Sequence, residues 1–255
     1  MFQFIAVPEP VAFYPLNANY KAEEIENRQP DGILGDVAIT NGPYNEPCGA
    51  YMFYGTNSSY IEFPHIRAGL DPQHSFTLMC WVQPGGQDGP LLGDAGLRGR
   101  IGMWIEYGKF FIGLGVFYST KMTHISTAEV LPTGTWVHVA ASYDYNTGYI
   151  SLFVKGHLRA SINITSIYYN PVLASRIRMG VLTSRTRMWD RRGRSYRFKG
   201  KIAEMKIFDV PLNEAQIQTS IRQGSCIFHV IVVSLHSLII PLIIEAPVIG
   251  QPRMR

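Results

Sequence analysis

Charge is scarce in this chain: Asp, Glu, Lys and Arg make up 16% of 255 residues, against 46% apolar ones. Disorder is excluded by that balance, because a disordered chain combines low hydrophobicity with high net charge. No heptad and no Gly-X-Y period runs through the sequence, which excludes a coiled coil and a collagen-like rod. Cysteine is rarer still. Cys48, Cys80 and Cys226 are too few for a disulfide-dense scaffold and lack the close spacing of a zinc site. Their odd number leaves at least one unpaired within the chain. In the run Ser75 to Gln83, counting by twos places Phe76, Leu78, Cys80 and Val82 on one apolar face. This predicts Cys80 as a buried free thiol, with a Cys48–Cys80 bridge as the alternative. The N-terminus has no basic region, and Pro8 and Pro10 cut its apolar stretch short, so no signal peptide is predicted. None of the seven histidines (His65, His74, His124, His138, His157, His229 and His236) sits in a nucleophile, base and orienter motif.

Short segments rich in β-branched and aromatic residues, bounded by Gly, Pro, Asn or Asp, are abundant. Residues 11–16 read as a first strand, followed by a polar passage over 17–31. Ten further segments follow: 51–54, 60–63, 76–82, 103–107, 110–116, 136–143, 149–154, 158–164, 177–181 and 202–208. Such a succession predicts an all-β domain. The stretch Tyr143 to Gly148 reads as a hairpin turn, and Gly108 and Gly156 mark two tighter reversals. One helix is signalled over 210–222. Asn213 is its N-cap candidate, Leu212, Ala215 and Ile221 share one face, and Gly224 stands just beyond its end. It is expected to pack against an edge of the sandwich. The organisation predicted is an extension over 1–10, one β domain over 11–223 and an apolar tail over 224–255. Residues 227–244 carry no formal charge and are apolar at 13 of 18 positions, interrupted by His229, Ser234, His236, Ser237 and Pro241, a run close to the length that crosses a bilayer. A membrane segment is one reading of them; an extra buried strand, or a tail outside the domain, are the others.

Positive charge is concentrated. Between Arg176 and Lys201 stand ten of the 23 basic residues and only one of the 19 acidic ones, Asp190, so the remainder of the chain is net acidic. Within it, residues 183–197 read as a long loop in which Arg185, Arg187, Arg191, Arg192, Arg194 and Arg197 are interleaved with Trp189 and Tyr196. Planar guanidinium groups engage two oxygens of a sulfate, phosphate or carboxylate at once, which suits a polyanion. The alternative is a solvated loop that keeps the protein soluble. Arg191 to Arg194 also has the spacing of a basic protease site. No nucleic-acid-binding signature accompanies the charge, so no nucleic-acid partner is expected. Asn57 and Asn163 stand in N-x-Ser/Thr sequons and are candidate glycosylation sites.

Several phrases, in this order, resemble the laminin-G-like jelly roll of the concanavalin A-like lectin and glucanase superfamily. They are Val11 to Leu16, Ala50 to Pro64, Ser75 to Pro84, Gly134 to Asp144 and, closest of all, Phe198 to Ile217 with its closing strand and short helix. The resemblance covers about Val11 to Ile221 and implies a two-sheet antiparallel jelly-roll sandwich with one short C-terminal helix. Trp81, Trp136, Phe153 and Phe208 are then expected to fill the core, and His138 to be structural. Glycosidases of the superfamily carry a Glu-x-Asp-x-x-Glu pattern on one strand, which this chain lacks. Glu62, Glu106, Glu129 and Glu204 stand singly on strands, and Glu23, Glu24 and Glu26 read as a solvated loop face. An enzyme is therefore not expected, and neither is a cofactor. Calcium is common in laminin G modules, but the corresponding position falls near Gly99, between Arg98 and Arg100, with Asp94 nearby, so no metal site is assigned. The function expected is non-catalytic recognition of glycans, including sulfated or polyanionic ones, or of extracellular proteins, in adhesion. The alternatives are a structural spacer without a small ligand and a glycan hydrolase with an unrecognised site. The setting expected is extracellular or membrane-anchored, with the membrane engaged through 227–244.

Overall fold

Period-two alternation of apolar side chains builds two antiparallel sheets stacked face to face. The structure is a computed structural model and describes residues 5–26, 28–64, 75–94, 101–115, 122–164, 176–181 and 197–223. In chain order the first strands are β1 (Ala12–Tyr14), β2 (Ile33–Leu34), β3 (Val37–Thr40), β4 (Ala50–Tyr54) and β5 (Ile61–Pro64). Then come β6 (Phe76–Gln87), β7 (Gly89–Asp94), β8 (Ile101–Glu106), β9 (Lys109–Gly115) and β10 (Met122–Val130). The last are β11 (Val137–Asp144), β12 (Tyr149–Val154), β13 (His157–Asn163), β14 (Arg176–Met179) and β15 (Lys199–Phe208), before helix α1 over 214–223.

The first sheet runs β13-β12-β11-β6-β15-β4-β3, and the second β10-β9-β8-β7-β14-β5-β2. β15 changes partner along its outer edge: Lys199 to Ile202 pair with β4, whereas Met205 to Ile207 pair with β1. A bulge at the changeover puts Glu204 at φ 50°, and its amide donates to the Pro15 carbonyl. Phe53, Phe76 and Phe198 from the first sheet meet Phe63, Phe110 and Ile112 from the second in one buried cluster. A fully buried side chain of this size contributes about 1.5 to 3 kcal/mol each. Phe76, Leu78, Cys80 and Val82 all face this core, and Cys80 is a free buried thiol, its pKa pushed up to about 12 by desolvation.

All ten predicted inner segments and the first strand are present; β2, β3, β7 and β10 add to them. β7 escaped because Pro90 and its glycines read as a breaker. The reversals at 107–108 and 155–156 take positive φ at both central residues, the geometry that matches strand twist. At α1, Asn213 Oδ1 accepts from the Gln216 amide at 3.0 Å while Gln216 Oε1 accepts from the Asn213 amide at 3.1 Å, a reciprocal cap.

Three expectations are corrected. α1 lies on the outer face of the first sheet, not at its edge: Leu212 and Ile217 pack on Met79, Ala140, Phe153 and Phe208, with Val7 alongside. Its most buried residue is Ile217, and Ala215 is only half-buried. Phe153 and Phe208 therefore fill this second, smaller cluster rather than the gap between sheets. Trp81 and Trp136 are half-buried, with Trp81 packed on Tyr44 and His138. Glu24 does not face solvent. Its carboxylate is buried and accepts from the amides of Phe13, Glu26, Arg28 and Gln29, so it fastens the polar passage to β1. Composition cannot reveal such a role, because it depends on four donors converging. Among the described residues no helix is long and apolar enough to cross a membrane, and the run 227–244 lies outside them.

Candidate functional site

The basic segment is gathered at its two ends. Val181 and Arg197 form an isolated antiparallel bridge. Arg197 Nε donates to Asn57 Oδ1, and the Gln87 carboxamide donates to the carbonyls of both Arg197 and Gly55. Arg185, Arg187, Trp189, Arg191, Arg192 and Arg194 lie in 182–196, outside the described residues. Arg178 is turned elsewhere: it pairs with Glu62 at 2.5 Å, and its guanidinium sits 4.3 Å over the Tyr60 ring. Of the sequons, Asn57 is exposed in a turn, but the Ser59 hydroxyl is buried and accepts from the Tyr54 amide. Asn163 lies exposed on β13 and donates to the Thr147 carbonyl at 2.8 Å.

On the outer face of the second sheet the register aligns residues that stand far apart in the chain. One row crosses the strands as His124, Gly113, Gly102, Gly93, Arg178 and Glu62. The neighbouring row carries Ser126, Phe111, Trp104 and Pro90. Three glycines in register leave a strip of bare backbone beside an aromatic ridge. Trp104 and Phe111 stack at 5.2 Å with an 18° interplanar angle, and His124 lies 6.1 Å from Phe111. Trp104 is buried and donates its indole N–H to Glu106 at 3.3 Å; Phe111 is half-buried and His124 exposed. The signal was present as Gly-x-Trp in β8 and Phe-x-Gly in β9, which alternation puts on one face. Only strand pairing shows that they coincide.

The outer face of the first sheet holds a buried ionisable group under the 42–49 loop and α1. Glu204 is 5% exposed, and its Oε1 has no hydrogen-bond partner among the described residues. Desolvation raises its pKa to about 7; Glu46 adds to the rise and Lys206 opposes it. The carboxyl of Glu46 is wedged between Gly42 and Gly49, where a Cβ on either glycine would fall within 2.3 Å of its Oε1. Burial lowers the Lys206 pKa, and lowers that of His138 to about 3 with Lys206 adding to the effect. His138 is thus neutral and structural, as expected, and it packs edge-on against Trp81.

These groups do not form a catalytic constellation. Glu62 is paired with Arg178, Glu129 with Arg159 at 3.0 Å, and Glu106 with the Trp104 indole. Among the described residues no group of three His, Cys, Asp or Glu side chains could hold a metal ion. The position near Gly99 lies outside them.

Residues 55–218 match the model of a family described as the concanavalin A-like lectin/glucanases superfamily. No curated protein matches the chain. Among solved structures, the binding domain of Paraclostridial Mosquitocidal Protein 1 is similar, with TM-score 0.66 and 13% identity over 82% of this chain and 51% of that one. Domain 4 of AbnA, a GH43 extracellular arabinanase from Geobacillus stearothermophilus solved with arabinotriose, gives TM-score 0.62 and 18% identity over 84% of this chain and 98% of that one. A structure of botulinum neurotoxin type C, whose cell entry is described as dependent on two ganglioside molecules, gives TM-score 0.66 and 10% identity over 84% and 51%. The chain spans about half the length of the toxin binding domains it resembles.

Proposed function

The chain belongs to the concanavalin A-like lectin/glucanases superfamily, and from that premise we propose that it is a non-catalytic, extracellular recognition module that binds glycans. The observation that carries the reading is the aromatic ridge on the second sheet. Phe111 and His124 present ring surface beside the backbone-only strip, and the apolar face of a sugar ring packs on such surface while its hydroxyls reach polar groups at the margin. Support comes from domain 4 of the extracellular arabinanase, which was solved with arabinotriose, and from the neurotoxin whose entry depends on gangliosides. The Arg-rich segment at 182–196 adds an affinity for acidic sugars.

A glycan array probed with the full chain tests this. Phe111→Ala is expected to weaken the best-bound neutral oligosaccharide by about three- to tenfold, the worth of one aromatic contact. Retention of no glycan at all, or release of reducing sugar from those tested, would overturn the reading. Retention on heparin resin is expected to fall with salt, and to fall further when Arg191, Arg192 and Arg194 become Ala. Elution at an unchanged salt concentration would remove the loop from the binding surface.

A further inference from the structure

We propose that the 42–49 loop is a pH-sensitive lid on the outer face of the first sheet, closed while Glu204 carries a proton and released when Glu204 and Glu46 face each other as two buried carboxylates. The lid lies on the sheet opposite the aromatic ridge and is independent of the glycan-binding reading. It joins β3 to β4 and is seated at two points. Tyr44 packs on Trp81 with ring centroids 5.5 Å apart. Its hydroxyl accepts from the Trp81 indole at 3.1 Å and donates to the Ile221 carbonyl of α1 at 3.4 Å. Trp81 pairs with Ala203, so this seat stands beside Glu204. The second seat is Glu46. Its Oε2 accepts from the Tyr44 amide at 2.7 Å and its carbonyl from the Gly42 amide at 3.0 Å. Its carboxyl fills the space that a Cβ on Gly42 or Gly49 would take.

Closure leaves charge without compensation. Oε1 of Glu46, Oε1 of Glu204 and Nδ1 of His138 are buried and have no hydrogen-bond partner among the described residues. Neither carboxyl has an ion-pair partner among them. Lys206 is the cation that bears on Glu204, but its ammonium is turned to the Ser220 carbonyl and hydroxyl, at 3.4 and 3.5 Å, and lies 4.9 Å from the centre of the Phe13 ring. His138 on β11 stands across Trp81 and is neutral. On α1, Glu214 is taken up by His157 and Arg222 by Thr219. The loop therefore sets one carboxyl against another. Two ionised carboxyls in a desolvated place repel with little water to screen them. Burial raises the pKa of both, that of Glu204 to about 7, so the second charge arrives near neutral pH.

The backbone of the closed loop also favours release. Asn45 and Cys48 hold φ of 62° and 61°, a region that residues with a Cβ occupy at a cost. Asn45, Pro47 and Cys48 are exposed, so nothing packs above them. The Cys48 carbonyl accepts from the Ala18 amide at 2.9 Å, which makes the β4 end the hinge. Lifting the loop uncovers Trp81 and Glu204 and leaves the core between the sheets closed.

Hydrogen exchange on the full chain tests this, corrected for intrinsic rates and read at Gly42 and Tyr44, whose amides donate to Glu46. The closed loop holds a proton that the open one gives up, so closure weakens as pH rises. With Glu204 at about 7 when covered and 4.5 when released, opening in the parent relative to Glu204→Gln is expected to increase about 70-fold between pH 5 and pH 8. Low concentrations of urea are expected to leave loop exchange unchanged while speeding that at the centres of β6 and β11, because local release exposes little surface. Glu46→Gln removes one of the two facing charges and is expected to reduce the pH effect. A ratio to Glu204→Gln that stays constant with pH overturns the lid, and so does a pH effect that Glu46→Gln leaves intact. Loop amides that exchange as slowly as those of β6 and β11, with the same urea dependence, would show that the loop opens only when the whole domain unfolds, and would equally overturn it.

Discussion

Truncating Phe53 to alanine is expected to lower the free energy of unfolding by about 4 kcal/mol. Phe53 is fully buried, its ring centroid is 6.2 Å from that of Phe198, and it lies under the backbone of Gly180. Gly180 adopts φ 83°, and a Cβ there would stand 2.4 Å from Phe53 Cδ1 and 2.7 Å from the Ser59 carbonyl. The Gly180 carbonyl accepts from the Phe198 amide at 2.8 Å, so this packing joins the two sheets at the base of the basic segment. Removing the ring leaves a cavity that the backbone on both sides cannot close, and the cost combines lost transfer energy with the cavity itself. Denaturant midpoints at unchanged m-value measure it. A loss below about 1.5 kcal/mol would mean that the two sheets reapproach, and would refute the rigid junction described here. Faster amide exchange at Phe198 than at the centre of β6 is the accompanying local signature.

The second large effect is on the pH dependence of stability. Glu204 titrates near 7 in the folded protein against an ordinary value of 4.5, because burial and the Glu46 carboxyl outweigh the pull of Lys206. Between pH 4.5 and 7 the folded state therefore holds a proton that the unfolded state has released, and stability falls as pH rises through that window. His138 has the opposite slope. Its pKa drops from 6.5 to about 3 through burial and the nearby Lys206, so stability falls as pH drops from 6.5 toward 3. The two slopes cancel between pH 4.5 and 6.5, which predicts a plateau there and losses on either side. Glu204→Gln removes only the Glu204 slope. Relative to the parent, the variant is expected to gain about 3 kcal/mol between pH 4 and pH 8, at roughly 1.4 kcal/mol per unit of pKa shift. Urea unfolding at several pH values measures this difference. A difference that stays constant across the range would show that Glu204 titrates as an ordinary surface carboxyl.

The two carboxyls and the covered lysine also explain why the outer face of the first sheet is divided. Where the 42–49 loop and α1 cover it, ionisable groups are desolvated and their charge is suppressed. A few residues back along the same strand, Lys199 and Lys201 keep solvent and charge. Lys199 and Lys201 lie before the bulge at Glu204 and Lys206 beyond it, and the difference in solvation comes from what packs on top of the strand.

Eleven of the fifteen strands, the buried face that carries Cys80, the cap at Asn213 and the membership implied by Phe198 to Ile217 were determined by the sequence alone. Each is encoded within a few residues, through period-two burial, a local capping pair or a contiguous phrase. Only the tertiary structure decided that Gly93, Gly102 and Gly113 fall in one row, that Glu24 gathers four amides and that α1 lies over the sheet. It also decided that Arg178 turns to Glu62 while Lys199 and Lys201 remain open to solvent. These depend on register between strands far apart in the chain. A shift of one residue in pairing reverses every face, and nothing within a single segment records which pairing wins.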